Sequence, residues 1–531
     1  MVSFYYIKNI YIGSDVFYTY IVQNGWWKLW LEQKTERGYF NKAAELREKL
    51  LHGRFPEEIK ERFRQLIEYF GQSPIIVRSS SLLEDSFGSA FAGKYDSLFI
   101  VNQGSPEERY KKFEMVVREI FASTMNENAL IYRQQRGLSQ MDEQMALLAQ
   151  RVSGDCHDRY FFPYLAGVGV SHNTFVWHKE MDPKAGMLRL VLGLGTRAVN
   201  RVEGDYPAII ALDAPLCRPY ADMEKIKKFS QHEVDLLDIQ ENDLITIALE
   251  KLIEDEPNLE LGLIGKRDLE AEVKMQSLGK NIPVWVITFE KLLAATSFPS
   301  IMQNMLKILE AAYQYPVDIE FTVNISKDNQ LKINLVQCRP LQAQGVGGRV
   351  RIPEKIAPDN ILFKSQGNFM GGNLSQPINK LIYVDPEAYS GLLMGEKYEV
   401  AREIGRLNKM LRRESEPTLL IGPGRWGTRD PSLGVPVSFA EINNIAALVE
   451  VDDPEGGFMP ELSFGSHFFL DLVETQIFYV ALFIENPKVT LDKKWLKALA
   501  GDAIVKIIDL KKPFHLLSDI TARKVICVKS T

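Results

Sequence analysis

Asp318, Glu320, Gln337 and Arg339 are side chains of the types that hold a hard cation and a phosphoryl group together. Carboxylate and amide oxygens suit Mg²⁺, and a guanidinium fork neutralises a phosphoryl oxygen. Their spacing puts them on one surface. From Val317 to Ile325 the residues alternate: Val317, Ile319, Phe321, Val323 and Ile325 face one way, and Asp318, Glu320, Thr322 and Asn324 the other. A period of two marks a half-buried strand. SKDNQ then reads as a turn and LKINLVQ as the returning strand. With Asp328-Asn329 as a two-residue loop, Asp318 falls opposite Arg339 and Glu320 opposite Gln337. Alternation alone also fits an exposed hairpin whose outer face carries ordinary salt bridges.

A second set lies far upstream. PIIVRSSS reads as a buried strand that delivers Arg78, Ser79, Ser80 and Ser81 into a segment containing Gly88, Gly93 and Lys94. Backbone N–H groups and hydroxyls can approach an anion there, and Arg78 supplies charge. Serine- and glycine-rich turns after strands are common, so the pattern by itself is weak. Lys94, directly after Gly93, is either a phosphate-directed ammonium or a solvated surface lysine.

Several helices must carry these strands. PEEIKERFRQLIEYF places Ile59, Phe63, Leu66, Ile67 and Phe70 on one stripe. Ser105, Pro106 and Glu108 spell the start of another helix: an N-cap, a proline at the first helical position and a capping box. Its buried stripe is Phe113, Val116, Val117 and Ile120. The helix PSIMQNMLKILEAAY, with Ile301, Met305, Ile308, Leu309 and Ala312 inward, leads into the hairpin. MALLAQRV, from Met145, reads as a core strand. The first forty residues are aromatic-rich and resist assignment.

The chain of 531 residues is 46% hydrophobic and 25% charged, with net charge −6, a globular composition with room for two to four domains. A mildly acidic balance gives no support for nucleic-acid or membrane binding. Cys156, Cys217, Cys338 and Cys527 are scattered and form no metal or disulfide framework, which points to a cytoplasmic protein. His172 and His178 flank a strand without a third ligand at sensible spacing.

Five short motifs together resemble one family. VRSS, then ED, then FAG, followed far downstream by DIEFTV and LVQCRP, are similar in order and spacing to the nucleotide-binding domain of the phosphoenolpyruvate synthase and pyruvate phosphate dikinase family. The resemblance covers roughly residues 70 to 342. It implies an α/β fold of the ATP-grasp type that binds ATP and Mg²⁺. It further implies that Arg78 and Arg339 stabilise phosphoryl charge, that Asp318, Glu320 and Gln337 hold the metal, and that Ser79, Ser80, Gly93, Lys94 and Gln150 line the nucleotide. Lys94 departs from the glutamine common in the family, and Thr196 stands where its G-L-G turn usually continues with glutamate. The family's N-terminal lysine segment has no counterpart before Arg78, so the chain begins late or its nucleotide site is reduced.

QAQGVGGRV is the best linker, dividing a nucleotide-binding domain (1–342) from a C-terminal α/β module (349–531). The tail is too short for the family's pyruvate-binding barrel, which needs ~250 residues. GSHFF makes His467 the nearest approach to a phospho-acceptor histidine, although a packed core histidine is the simpler account. Gly-rich LLIGPGRWGTRDPSLGVPV, with Arg425, Trp426 and Arg429, is the other unusual loop. The sequence thus points to a Mg·ATP-binding phosphotransferase-type protein acting on His467, a partner protein or a small molecule. The alternative is a non-catalytic nucleotide-binding regulatory or scaffolding module.

Overall fold

The computed structural model describes the chain apart from residues 1–2, 5–8, 83–94, 136–137, 173–180, 200–204, 218–222, 229, 278, 280–281, 326–329, 342–349, 351, 354–355, 367–368, 371–372, 414, 429–430, 432–433, 453–471, 473–474, 476, 502, 520–521 and 531. Gly93, Lys94, Arg429 and His467 therefore lie outside the described residues, as does the Asp328-Asn329 turn. Among those described, no helix is long and apolar enough to cross a membrane.

Two sheets build the candidate site. An antiparallel four-stranded sheet runs in the order Asn9–Ile12, Met145–Arg151, Ile75–Ser81, Ser97–Ile100. Its inner face, with Ile75, Val77, Leu147 and Ala149 fully buried, packs on helices Glu57–Phe70 and Pro106–Ser123. The apolar stripes of both helices lie in this core, with Phe63, Phe113, Val117 and Ile120 almost wholly buried. Ser105 caps its helix as its sequence dictates, accepting from the Glu108 N–H while Glu108 accepts from the Ser105 N–H at 2.8 Å. The unassigned N-terminus turns out to be structural: Asn9–Ile12 forms an edge of this sheet, and helix Ser14–Gln23 buries Phe17, Tyr20 and Ile21.

The second sheet has six strands, ordered Ser3–Phe4, Leu331–Pro340, Val317–Ile325, Leu165–Val170, Met187–Val191, Ala208–Ala211. One face is a dry core containing Val317, Ile319, Phe321 and Val323 with Leu165, Leu188, Leu190 and Ile333. The helix before the hairpin, Phe298–Tyr313, packs there through Phe298, Met302 and Leu306, with Ile301, Met305 and Leu309 half-buried beside them. Ile308 is 69% exposed and Ala312 is also exposed, so the inward stripe read from sequence is rotated by about one position. Ile301, Met305, Ile308 and Ala312 have helical spacing as good as the true stripe, and only packing separates them.

A nine-stranded sheet occupies 361–528, with Leu374–Val384, Thr418–Pro423, Ala447–Asp452 and Phe478–Phe483 parallel at its centre. Among the described residues none of its strands pairs with one before Pro340. Met187, on the other face of the six-stranded sheet, joins the apolar core formed by Ile382, Tyr389 and Trp426, with Val170 and Ile209 packed alongside. The core beside the nine-stranded sheet thus covers part of that face.

Candidate functional site

Asp318 pairs with Arg339 and Glu320 with Gln337 in the antiparallel hairpin. The register is reached by a different route from the two-residue loop read in the sequence. That loop would set Ile325 against Lys332, whereas the strands pair Ile325 with Leu331. A bulge between Glu320 and Phe321 takes up the difference, leaving Val336 as the extra residue between Leu335 and Gln337. The bulge re-aims Gln337 and Arg339 onto the face of Glu320 and Asp318.

Arg78 reaches this face from the other sheet. Its Nη1 lies 2.9 Å from Glu320 Oε2, and its Nη2 donates to Gln337 Oε1 at 2.7 Å. Alternation along Ile75–Ser81 explains the direction: Ile75 and Val77 go into the helical core, so Arg78 must project from the opposite face. Arg339 Nε and Nη2 both donate to Asp318 Oδ2, at 3.1 and 2.9 Å. Asp318 Oδ1 is buried and has no hydrogen-bond partner. Burial raises the Asp318 carboxyl above its ordinary range; Arg339 opposes the shift and Glu320 adds to it.

The remaining sequence candidates fall in different settings. Ser80 is exposed on the Arg78 face, Ser79 is half-buried, and Ser81 is buried with its hydroxyl on Glu143. Gln150 is buried, donating to Asn9 Oδ1 at 3.0 Å and lying 3.5 Å from the carbonyl of Val336 at the bulge. Its amide therefore ties the two sheets together. The G-L-G turn has left-handed backbone at Gly193 (φ 98°) and Gly195 (φ 92°), which explains the glycines. Arg197 after it is saturated by Asp205, Glu233 and Asp235 at 2.6–3.0 Å and serves the fold.

One polar group escaped sequence reading. Further along the same face, the Asn334 amide donates to Ser153 Oγ at 2.7 Å and approaches Thr322 Oγ1 at 3.4 Å. Asn324 lies 3.5 Å from the same hydroxyl and leaves its Oδ1 buried without a partner. Thr322 and Asn324 were visible on the strand's polar side, but Ser153, just past Met145–Arg151, carried no signal.

Carboxylate and amide oxygens are of the type that suits Mg²⁺. No group of three His, Cys, Asp or Glu gathers at metal-binding spacing among the described residues. The oxygens available to a cation at this face would be those of Glu320, the Gln337 carbonyl and Asp318 Oδ1. Mg²⁺ ordinarily binds through one or two carboxylates plus substrate phosphates rather than in an all-protein cage.

Two sheets joined at an arginine, with paired acidic and amide side chains on the facing hairpin, define an ATP-grasp-like nucleotide-binding fold. The chain belongs to the family of the pyruvate phosphate dikinase AMP/ATP-binding domain, whose model matches residues 7–359. That span extends beyond 70–342 at both ends and takes in the N-terminal strand and helices. A search of curated proteins finds no match.

Proposed function

We propose that the chain binds Mg·ATP in the gap between its four-stranded and six-stranded sheets and acts as a phosphotransferase-type protein. The observation that carries this reading is Arg78 bridging Glu320 and Gln337 from the opposite sheet. A cation, a carboxylate and an amide oxygen converge there from two separate elements.

In the structure each arginine is neutralised by a carboxylate: Arg78 by Glu320, and Arg339 by Asp318. Nucleotide binding is then an exchange of partners. The guanidinium of Arg78 turns to the outer phosphates, while the Glu320 and Gln337 oxygens are released for the metal, with Asp318 Oδ1 beside them. Arg339 holds the far end of the phosphate chain. Held by Glu320 and Gln337, with Asp318 beside them, Mg²⁺ would supply charge neutralisation at the phosphates. The protein's own contribution is positioning and electrostatic stabilisation, with no nucleophile required from these residues. Ser80 and the segment carrying Gly93 and Lys94 supply further phosphate contacts, and Gln150 with its neighbouring backbone borders the base. The acceptor is His467, a partner protein or a small molecule.

Incubation with γ- and β-labelled ATP and Mg²⁺ tests this directly. Label leaving ATP for the chain or for an added acceptor supports transfer. Tight binding without any loss of label supports the second reading, a nucleotide-sensing module. The mutual neutralisation of both arginines favours that second reading, because such a pair is stable without ligand and changes partner when nucleotide arrives.

A further inference from the structure

The strand Met187–Val191, two places from the hairpin strand Val317–Ile325, carries one charged residue, Arg189. Leu188 and Leu190 enter the dry core, so Met187, Arg189 and Val191 share the face of Asp318 and Glu320. Strand pairing sets two rows across that face. One reads Arg339, Asp318, Val170, Met187; the next reads Gln337, Glu320, Val168, Arg189, Ile209. Arg189 thus stands in line with Glu320 at two strand spacings, about 10 Å between backbones.

Apolar side chains surround it on the sheet: Met187 and Val191 along its strand, Val168 and Ile209 to either side. Met187 and Ile209 join the core beside the nine-stranded sheet, while Val168 and Val191 cluster with Ala166 and Ala198. A methionine or leucine would fill such a position at lower cost than a half-buried guanidinium. Across the six strands the only carboxylates are Asp318 and Glu320, both on this face. Burial raises the Asp318 carboxyl, and the charge of Arg189, after that of Arg339, opposes the shift, so its field reaches the candidate site. Arg78 meets Glu320 from the Gln337 side, and Arg189 lies on the other side, beyond the short Val168 side chain. Guanidiniums on two sides of a phosphate chain fix its direction as well as balance its charge.

We propose that Arg189 is a further phosphate-binding residue of this site, meeting the outer phosphates of a nucleotide from the side of Glu320 opposite Arg78. The nucleotide part rests on the reading above; the anion-binding role of Arg189 does not. Arg189→Met suits the apolar neighbours and removes the charge without opening a large cavity. Its Mg·ATP affinity, read by calorimetric titration, should fall on the order of tenfold, the scale of a lost hydrogen bond to a charged group. AMP, which lacks the outer phosphates, should keep its affinity. Arg189→Lys should weaken Mg·ATP by less, because an ammonium restores the charge but not the fork. It carries the test alone if the methionine variant fails to fold. Inorganic tripolyphosphate with Mg²⁺ should bind in the same order: wild type, then the lysine variant, then the methionine variant.

Unchanged Mg·ATP affinity in the folded variants, or equal losses for ATP and AMP, would overturn the proposal. Should the wild-type protein bind neither nucleotide, the nucleotide reading fails and tripolyphosphate decides. Tripolyphosphate binding that weakens in the variants keeps Arg189 as an anion-binding residue, while equal binding, or none, overturns it.

Discussion

Arg78 and Glu320, 242 positions apart in the chain and on different sheets, meet at 2.9 Å. Each is less than one-fifth exposed, so the pair is only weakly screened by solvent. This contact gives the carboxylate proposed to hold the metal a resting partner, and several consequences can be measured.

Removing the carboxylate should damage binding more than folding. Glu320→Ala should weaken Mg·ATP by about tenfold or more, roughly 1.4 kcal/mol per decade, with a much smaller change in urea midpoint. Calorimetric titration of the folded variant reads this. An unchanged Mg·ATP affinity removes Glu320 as a metal ligand.

Removing the arginine should move two affinities in opposite directions. Arg78→Met leaves Glu320 without its neutralising cation, so free Mn²⁺ or Mg²⁺ should bind more tightly than to wild type. The same change should weaken ATP, which loses a phosphate contact. Parallel loss of both would mean that Arg78 merely supports the fold.

Asp318 predicts a pH dependence. Burial raises its carboxyl pKa in the folded chain, against the pull of Arg339. The folded state therefore holds the proton more tightly than the unfolded state. That contribution to stability is complete below the unfolded value and is lost as pH rises through the folded one. Asp318→Asn, which mimics the neutral form, should be more stable than wild type at neutral pH. Its advantage should shrink as pH falls through the raised pKa, which denaturation at a series of pH values will show. A variant less stable than wild type at neutral pH would mean that the Arg339 pair outweighs burial.

Arg197 separates fold from site. It is 7% exposed and contacts three carboxylates, so Arg197→Met strands them in or near the interior. The cost should be about 3–5 kcal/mol in chemical denaturation. Arg197→Lys, with one ammonium for three partners, should recover only part of it.

In the C-terminal sheet, Glu450 is fully buried and accepts from the Trp426 N–H at 2.9 Å and the Tyr479 hydroxyl at 2.6 Å. Tyr479→Phe takes away one donor and should cost about 1–3 kcal/mol. The loss should appear in the unfolding of 361–528 and leave Mg·ATP affinity intact. A change in nucleotide affinity would show that this module bears on the site, which the packing of Val170 beside Asp318 allows.

The sequence by itself determined several of the elements around the site and the faces of some of them. Strict alternation named the buried and polar sides of Val317–Ile325, and the Ser105 cap began its helix where side-chain hydrogen bonding demands. These are local properties, set by the period of a strand or by four consecutive residues, and they survive translation into three dimensions. Family-like segments also tied Arg78 to the hairpin before any geometry was available.

Tertiary structure decided the rest. The bulge at Val336 depends on two strands meeting, and no single-strand pattern encodes an extra residue in one of them. Ile308 and Leu306 fit equally good helical stripes; only the sheet surface beneath chose Leu306. The N-terminal strands find their partners at Met145–Arg151 and Leu331–Pro340, too far along the chain for periodicity to report. Glu143 is the clearest case. In sequence it is one acidic residue among many, and only folding brings Ser81, Tyr95 and Arg133 to the same buried carboxylate. Long-range contacts of this kind are the product of packing, and packing is settled by the whole core at once.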